Sequence, residues 1–241
     1  MIPVSDENPS RSTPFVTYLL VAANVLVFLY QISLGNQVEA FIRSCAFVPA
    51  ELVTGQDLPP PSCVQPPYLT MFTSMFMHGG LLHIGSNMLY LWIFGNNVED
   101  SMGTIKFLLF YLLCGLLAAL TQTFVTIASN PEAAGIPNLG ASGAIAGVLG
   151  GYLLLFPHAR VKTLVILGFF ISMARIPAVI VLGLWFVLQF LQGITEVGDV
   201  SGAVGGVAVW AHIGGFVAGL VLVKLFARSP RGRRVVPAYR F

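Results

Sequence analysis

The chain has 241 residues, of which 56% are hydrophobic and only 9% are charged, and its formal net charge is +2. Soluble domains carry about 25% charged residues, so this composition indicates an integral membrane protein and gives no sign of nucleic-acid binding. Residues 1–12 are polar and include Asp6 and Glu7, unlike the basic start of a cleaved signal peptide.

Six apolar segments predict an all-α, polytopic membrane fold, because a spanning helix needs about 17–25 residues. In chain order they are residues 14–34, 83–98, 104–127, 139–156, 177–191 and 204–226. We therefore expect a short N-terminal segment (1–13), a transmembrane domain (14–226) and a basic tail (227–241). Residues 161–173 are apolar but short, which predicts an interfacial or re-entrant segment. If they crossed the bilayer, the number of spans would be seven.

Basic residues are expected to lie mostly on one side of this arrangement, and such residues favour cytoplasmic loops. They are Lys106, Arg160, Lys162, Arg175, Arg228, Arg231, Arg233, Arg234 and Arg240. We therefore predict cytoplasmic N- and C-termini and a long first outer loop, residues 35–82. A compact chain without an organelle-targeting segment favours a bacterial cytoplasmic membrane.

Four polar side chains are predicted to share one depth. Ser142 precedes Pro157 by 15 residues and His83 precedes the charged end of its span by 16, roughly 22 and 24 Å of helix. His212 precedes the basic end of the last span by 12 to 16 residues, roughly 18–24 Å, and Asn87 follows His83 by one turn. Polar groups at such depth are costly, so this convergence indicates a functional site near the outer face.

Rows of small residues beside Ser142 and His212 would let their helices pack closely. The rows are Gly143, Gly147 and Gly151 in the fourth span and Ala211, Gly215 and Gly219 in the sixth. A serine and a histidine brought together in this way can act as nucleophile and general base. No carboxylate falls inside a span at this depth, which predicts a Ser–His dyad. Residues 128–138 are then expected to line a water-filled cavity.

Donors for an oxyanion are available near Ser142. Ser142 begins its helix, where the N–H groups of Ser142 and Gly143 point outward without helical partners. His83 and Asn87 are four residues apart on one helix face, so their side-chain N–H groups could complete an oxyanion hole.

Other functions remain open on these residues alone. A catalytically inactive protein that binds membrane clients is one alternative. A proton relay through His78, His83 and His212 is another, although such proteins usually carry intramembrane carboxylates. A zinc protease is disfavoured because no HExxH motif occurs and two histidines five residues apart do not share a helix face. We predict no metal and no cofactor.

The motifs that contain these residues resemble those of the rhomboid family of intramembrane serine proteases, over residues 14–225. GASG at 140–143 is similar to the family's GxSG motif, AHIGG at 211–215 to its histidine helix, and residues 78–87 to its HxxxxHxxxN element. The resemblance implies a six-helix rhomboid-like bundle with Ser142 as nucleophile and His212 as base. It implies structural roles for His78, Gly140, Gly215 and Gly219, and oxyanion binding by His83, Asn87 and Gly143.

The resemblance also implies that the substrates are transmembrane proteins, cleaved near the outer face, often after small residues. The fifth span, residues 177–191, would be the gate through which they enter. Two positions depart from the family. Leu69-Thr70 replaces a Trp-Arg pair of some members, and Ala146 replaces an aromatic residue that stacks on the histidine in others. Another residue must therefore orient His212.

The cysteines divide between the third span and the outer loop. Cys114 lies in the span and is expected to serve packing. Cys45 and Cys63 both lie in the outer loop, where they form a disulfide if that loop faces an oxidising compartment and remain thiols otherwise.

Overall fold

The computed structural model describes residues 1–198 and 208–228. Its helices are α1 (Phe15–Ser33), α2 (Val38–Cys45), α3 (Pro49–Thr54), α4 (Thr70–Thr73), α5 (Leu81–Met102), α6 (Thr104–Ser129), α7 (Ser142–Leu155), α8 (Ala178–Gly198) and α9 (Val209–Phe226). Short 3-10 turns lie at Gly35–Gln37, Pro67–Leu69, Ser74–Phe76 and Pro131–Gly135. Residues 204–207 of the predicted sixth span, and the predicted basic tail beyond Arg228, lie outside the described residues.

Helices α1, α6, α8 and α9 are long and apolar enough to cross a membrane, and α7 is a shorter apolar helix. The chain is therefore mostly helical and membrane-embedded, as predicted. α7 begins at Ser142 rather than at residue 139, because Gly140 has φ +129°, which no helix accommodates. α5 extends beyond the predicted residue 98 to Met102. Its last turns are buried in protein and hold Glu99, which hydrophobicity alone does not place in a helix.

The prediction of an all-helical chain missed three β-strands. β2 (Arg160–Leu167) and β3 (Phe170–Pro177) form an antiparallel hairpin, and β1 (Ile2–Asp6) pairs with β2 in the order β1-β2-β3. The segment 161–173, expected to be interfacial, re-entrant or spanning, is thus most of this hairpin and forms no seventh helix. Its run of β-branched residues and the turn at Gly168, with φ +59°, explain the strands.

The ends of the long helices gather in two layers, here called the site end and the far end. At the far end, Glu99 of α5 accepts hydrogen bonds from the Val16 and Thr17 amides at the start of α1, 2.9 and 2.8 Å long. These bonds satisfy N–H groups that have no helical partner. The Tyr152 hydroxyl of α7 donates to Asp6 of β1, 2.7 Å away. The sheet therefore covers the far end, and Ser142, at the opposite end of α7, defines the site end.

Helices α7 and α9 meet backbone to backbone, as their glycine rows predicted. A Cβ atom on Gly215 would overlap the carbonyl oxygen of Gly143, and one on Gly219 would overlap that of Gly147. α6 packs as closely, since a Cβ atom on Gly147 would overlap the side chain of Cys114. Cys114 is buried in this packing, which confirms its predicted role. Side chains larger than hydrogen would push these helices apart.

The segment between α1 and α5 folds over the site end. Cys45 and Cys63 form a disulfide, with Cα atoms 5.2 Å apart, which decides between the two alternatives left by the sequence. Phe47 forms an antiparallel bridge with Asn138, just before the Ser142 helix. The buried Gln31 side chain of α1 binds both backbone groups of His78, at 3.0 and 3.2 Å. Through these contacts α1 and the segment after it position the start of α5.

Candidate active site

Ser142 is the first residue of α7, and Gly140 brings the chain into position before it. The Gly140 amide donates to the Ser74 carbonyl, 2.9 Å away, which fixes this turn. A Cβ atom on Gly140 would lie 2.8 Å from His83 Nε2 and 3.6 Å from Ser142 Oγ. Only glycine fits there, so the backbone at Gly140 borders a space that His83 and Ser142 share.

The His83 ring is held in one tautomer. The Gly79 amide donates to His83 Nδ1, 3.3 Å away, so Nδ1 carries no proton and Nε2 carries one. The Nε2–H group therefore faces the space beside Gly140 and Ser142 as a donor. Asn87 lies one helical turn further along α5, where its side-chain nitrogen is buried without a hydrogen-bond partner. An unpaired buried donor is costly and fits a group that awaits a ligand.

His212 lies in the second turn of α9 and is 9% exposed. The described residues include no hydrogen bond between its ring and Ser142. Its Nδ1 atom is instead 2.6 Å from Gln189 Nε2 of α8, and the Trp185 ring is 5.9 Å from the imidazole ring. α8 thus supplies the contacts to the His212 ring that Ala146, a small buried side chain, does not provide.

Gln189 is a residue that the sequence reasoning missed. A signal was available, since Gln189 is a polar side chain inside the predicted span 177–191, the criterion that singled out Ser142 and His212. Its amide can face Nδ1 with either end. The nitrogen donates to Nδ1 and leaves the ring proton on Nε2. The oxygen accepts from Nδ1–H and leaves Nε2 free to take a proton.

A cavity of about 40 Å³ opens beside Ser142, which is room for a few water molecules or one small side chain. Its polar lining consists of Ser74, Gln122, Asn138 and Ser142, and the rest is mainly alanine, glycine and methionine. Gln122 Oε1 also accepts from the Ala211 amide, 3.1 Å away, which ties the wall of the cavity to α9. Asn138 belongs to the segment predicted to border a water-filled cavity.

His78 lies outside the helices and packs edge-on against His83, with ring centroids 5.1 Å apart. Burial, and to a lesser extent His83, lowers the pKa of His78 to about 4, so the ring is neutral at pH 7. In the described part of the chain no group of three His, Cys, Asp or Glu side chains is arranged to hold a metal ion. The neutral His78 ring thus packs directly beside the His83 ring that borders the space at Gly140.

The amino-acid sequence around this site matches a known protein family. Residues 66–229 match the model of the rhomboid domain. The chain belongs to the rhomboid family. The match includes Ser142, His83, Asn87 and His212, so the four polar residues of the predicted site lie inside the rhomboid domain.

Three curated relatives illustrate the range of this family. The chain is 30% identical over 147 residues to Rhomboid protein 1, mitochondrial, of Saccharomyces cerevisiae, covering 61% of this chain and 38% of that protein. It is 29% identical over 203 residues to Rhomboid protease GluP of Bacillus subtilis, covering 83% and 35%. It is 28% identical over 171 residues to Rhomboid-like protein 11, chloroplastic, of Arabidopsis thaliana, covering 68% and 55%. The matched region is thus little more than a third of the first two proteins.

Proposed function

We propose that this chain is an intramembrane serine endopeptidase that hydrolyses peptide bonds in or near transmembrane segments of other membrane proteins. The observation that carries the proposal is the shared space beside Gly140, bordered by Ser142 Oγ and by the Nε2–H donor of His83. A nucleophile and an oxyanion donor that face the same few ångströms are the arrangement that acyl transfer needs.

In the proposed reaction Ser142 Oγ attacks the substrate carbonyl while His212 Nε2 takes the serine proton. The oxyanion that forms is stabilised by His83 Nε2–H, by the Asn87 side-chain nitrogen and by the N–H groups of Ser142 and Gly143 in the first turn of α7. The protonated His212 then returns its proton to the leaving amine. A water molecule from the cavity repeats the sequence on the acyl-enzyme and releases the second product.

Gln189 acts in this scheme as a positioning residue. His212 serves as a base when its Nδ1 atom carries the ring proton and Nε2 is free. The Gln189 carbonyl oxygen would hold that tautomer by accepting from Nδ1–H, as a carboxylate does in a catalytic triad. Such a neutral partner suits a dyad inside the bilayer, because a buried carboxylate would be expensive there.

The substrate side of the proposal rests on the cavity. Its alanine and glycine walls leave about 40 Å³ beside Ser142, which suits a small side chain before the cleaved bond and excludes a bulky one. The substrate helix must unwind locally, because helical amides are shielded by their own hydrogen bonds. α8 contacts His212 and would be the entry gate.

For the topology we propose six spans, with both ends on the cytoplasmic side and the segment between α1 and α5 outside. The basic side chains Lys106, Arg160, Lys162 and Arg175 belong to the far end, which fits a cytoplasmic location. The disulfide belongs to the site end, which fits an oxidising compartment. In this proposal residues 14–226 form the transmembrane domain, flanked by the segments 1–13 and 227–241.

Fluorophosphonate labelling of the purified protein tests the proposal without a known substrate. We expect labelling of the wild type that both Ser142→Ala and His212→Ala abolish, with all three proteins folded by thermal melt. A folded wild type that does not label would contradict the proposal. It would favour the alternative of an inactive, client-binding rhomboid, which the missing Ser142–His212 hydrogen bond would then explain. Cleavage of transmembrane reporter peptides with small residues would follow positive labelling.

A further inference from the structure

The β2–β3 hairpin has a base and a tip of different chemistry. At the base, Val161 and Thr163 are fully buried and β1 pairs with β2 as far as Leu164. Beyond that point no strand among residues 1–198 and 208–228 pairs with the hairpin, and its tip (residues 165–173) contains no charged residue. Phe169 is fully exposed and Phe170 is 82% exposed. The tip thus presents an apolar surface where a water-facing hairpin would present polar side chains.

Large apolar side chains are exposed on both faces of the tip, and its one polar side chain is Ser172. Ile166 and Ile171 are paired across the strands and share one face, and both are exposed. Phe170 belongs to the opposite face, because side chains alternate along a strand. A hairpin lying flat on protein or membrane would be apolar on one face only. Exposure on both faces indicates surroundings that are apolar on every side.

The place of the hairpin in the fold decides what those surroundings are. It connects the far end of α7 to the start of α8, so its base lies where membrane-embedded helices leave the bilayer. Three residues of β2, numbers 165–167, extend beyond the β1 pairing and reach about 10 Å before the turn, which is enough to pass from the headgroups into the acyl chains. Arg160, Lys162 and Arg175 lie at the base of the hairpin, where Arg175 is also paired with Glu7 at 3.1 Å.

We propose that the tip of the β2–β3 hairpin inserts into the lipid leaflet at the far end, with the basic residues of its base on anionic headgroups. The occupant of the apolar surface is lipid rather than a second protein, because the cations at the base complement anionic headgroups and the flanking helices already hold the hairpin against the bilayer. This inference depends on membrane embedding and not on catalysis.

The test uses the full chain in nanodiscs of phosphatidylcholine and phosphatidylglycerol, in which both leaflets are open to added reagents. Phe169→Cys carries an environment-sensitive NBD label, and Gln56→Cys, an exposed position at the site end, is the matched control. We expect iodide to quench the label at 169 roughly tenfold less than the label at 56, because the bilayer interior excludes ions. Nitroxide-bearing lipids should quench the label at 169 and leave the control nearly unaffected.

Two outcomes would overturn the proposal. Equal iodide quenching at the two positions would place the tip in water. Protection from iodide without nitroxide quenching would mean that protein covers the tip, for example a second copy of the chain. Combined Arg160→Gln and Lys162→Gln substitutions test the charged part. They should weaken nitroxide quenching at 169 in the anionic nanodiscs but not in pure phosphatidylcholine, and equal quenching in all four samples would refute the headgroup contact.

Discussion

Replacing Gln189 by leucine should slow the reaction of Ser142 without unfolding the protein. The substitution removes the 2.6 Å contact with His212 Nδ1 and keeps a side chain of similar size. It also makes α8 more apolar, so the helix should stay in the membrane. Without a partner at Nδ1, the His212 ring is free to rotate and to carry its proton on Nε2, where it cannot act as a base.

The size of the effect follows from the charge that His212 acquires. A hydrogen bond to a group that becomes charged contributes about 1.5–3 kcal/mol, and each 1.4 kcal/mol is about tenfold in rate. We therefore expect the second-order rate constant of fluorophosphonate labelling to fall about 10- to 100-fold. Gln189→Glu keeps an oxygen that accepts from Nδ1–H and should restore much of the rate.

The assay compares labelling rate and melting temperature for wild type, Gln189→Leu, Gln189→Glu and a control. Gln192→Leu is that control, because it makes the same change one turn further along α8 and away from His212. The positioning role is refuted if Gln189→Leu labels at the wild-type rate. It is also refuted if Gln192→Leu loses as much, since the loss would then reflect α8 in general.

Three further predictions concern stability. Gly215→Ala should lower the free energy of unfolding by about 1–3 kcal/mol, because the new Cβ atom would overlap a carbonyl oxygen of α7. Gly183→Ala, whose new Cβ atom would meet open space, should be neutral or stabilising. Thermal melts that rank the two variants in the opposite order would contradict the packing. The pKa of His78 is about 4 in the folded protein and about 6.5 when unfolded, so the full free energy of unfolding is present above about pH 6.5 and about 2 kcal/mol of it is lost by pH 5. The melting temperature of His78→Gln should therefore depend less on pH than that of the wild type. An unchanged pH dependence would refute this role of His78. The Cys45–Cys63 disulfide closes a loop with a sequence separation of 18, so its reduction should lower the free energy of unfolding by about 3 kcal/mol. The measurement is the drop in melting temperature on adding reductant, which a double variant with Cys45→Ser and Cys63→Ser should not show.

The sequence predicted the helical part of the fold well, for a physical reason. Bilayer thickness demands long apolar segments, so the positions of α1, α6 and α9 follow from hydrophobicity. Helical rise also predicted that Ser142 and His83 would lie at one depth, and the structure brings both beside Gly140. The roles of these residues in catalysis stay predictions.

The features that the sequence did not predict depend on contacts between distant parts of the chain. The β2–β3 hairpin reads as an apolar run in the sequence, and it becomes recognisable as sheet from the pairing of β2 with β3 and of β2 with residues 2–6. The position of Gln189 inside an apolar span was a signal in the sequence, but its partner, His212, follows only from the packing of α8 against α9. The sequence paired Cys45 with Cys63 but left open whether they are a disulfide or two thiols, and the fold of the outer segment decides for the disulfide.

The contact between α7 and α9 has a consequence for how much of this protein is free to change. The separation of Ser142 from His212 is set where Gly143 and Gly147 meet Gly215 and Gly219, that is, by peptide groups common to every sequence. The exposed apolar side chains of α9, such as Val217, Val221 and Leu225, can therefore be exchanged for other apolar residues without moving the serine relative to the histidine. Such a scaffold tolerates wide divergence of its surface while the hydrogen atoms on the α-carbons of the contact glycines remain indispensable.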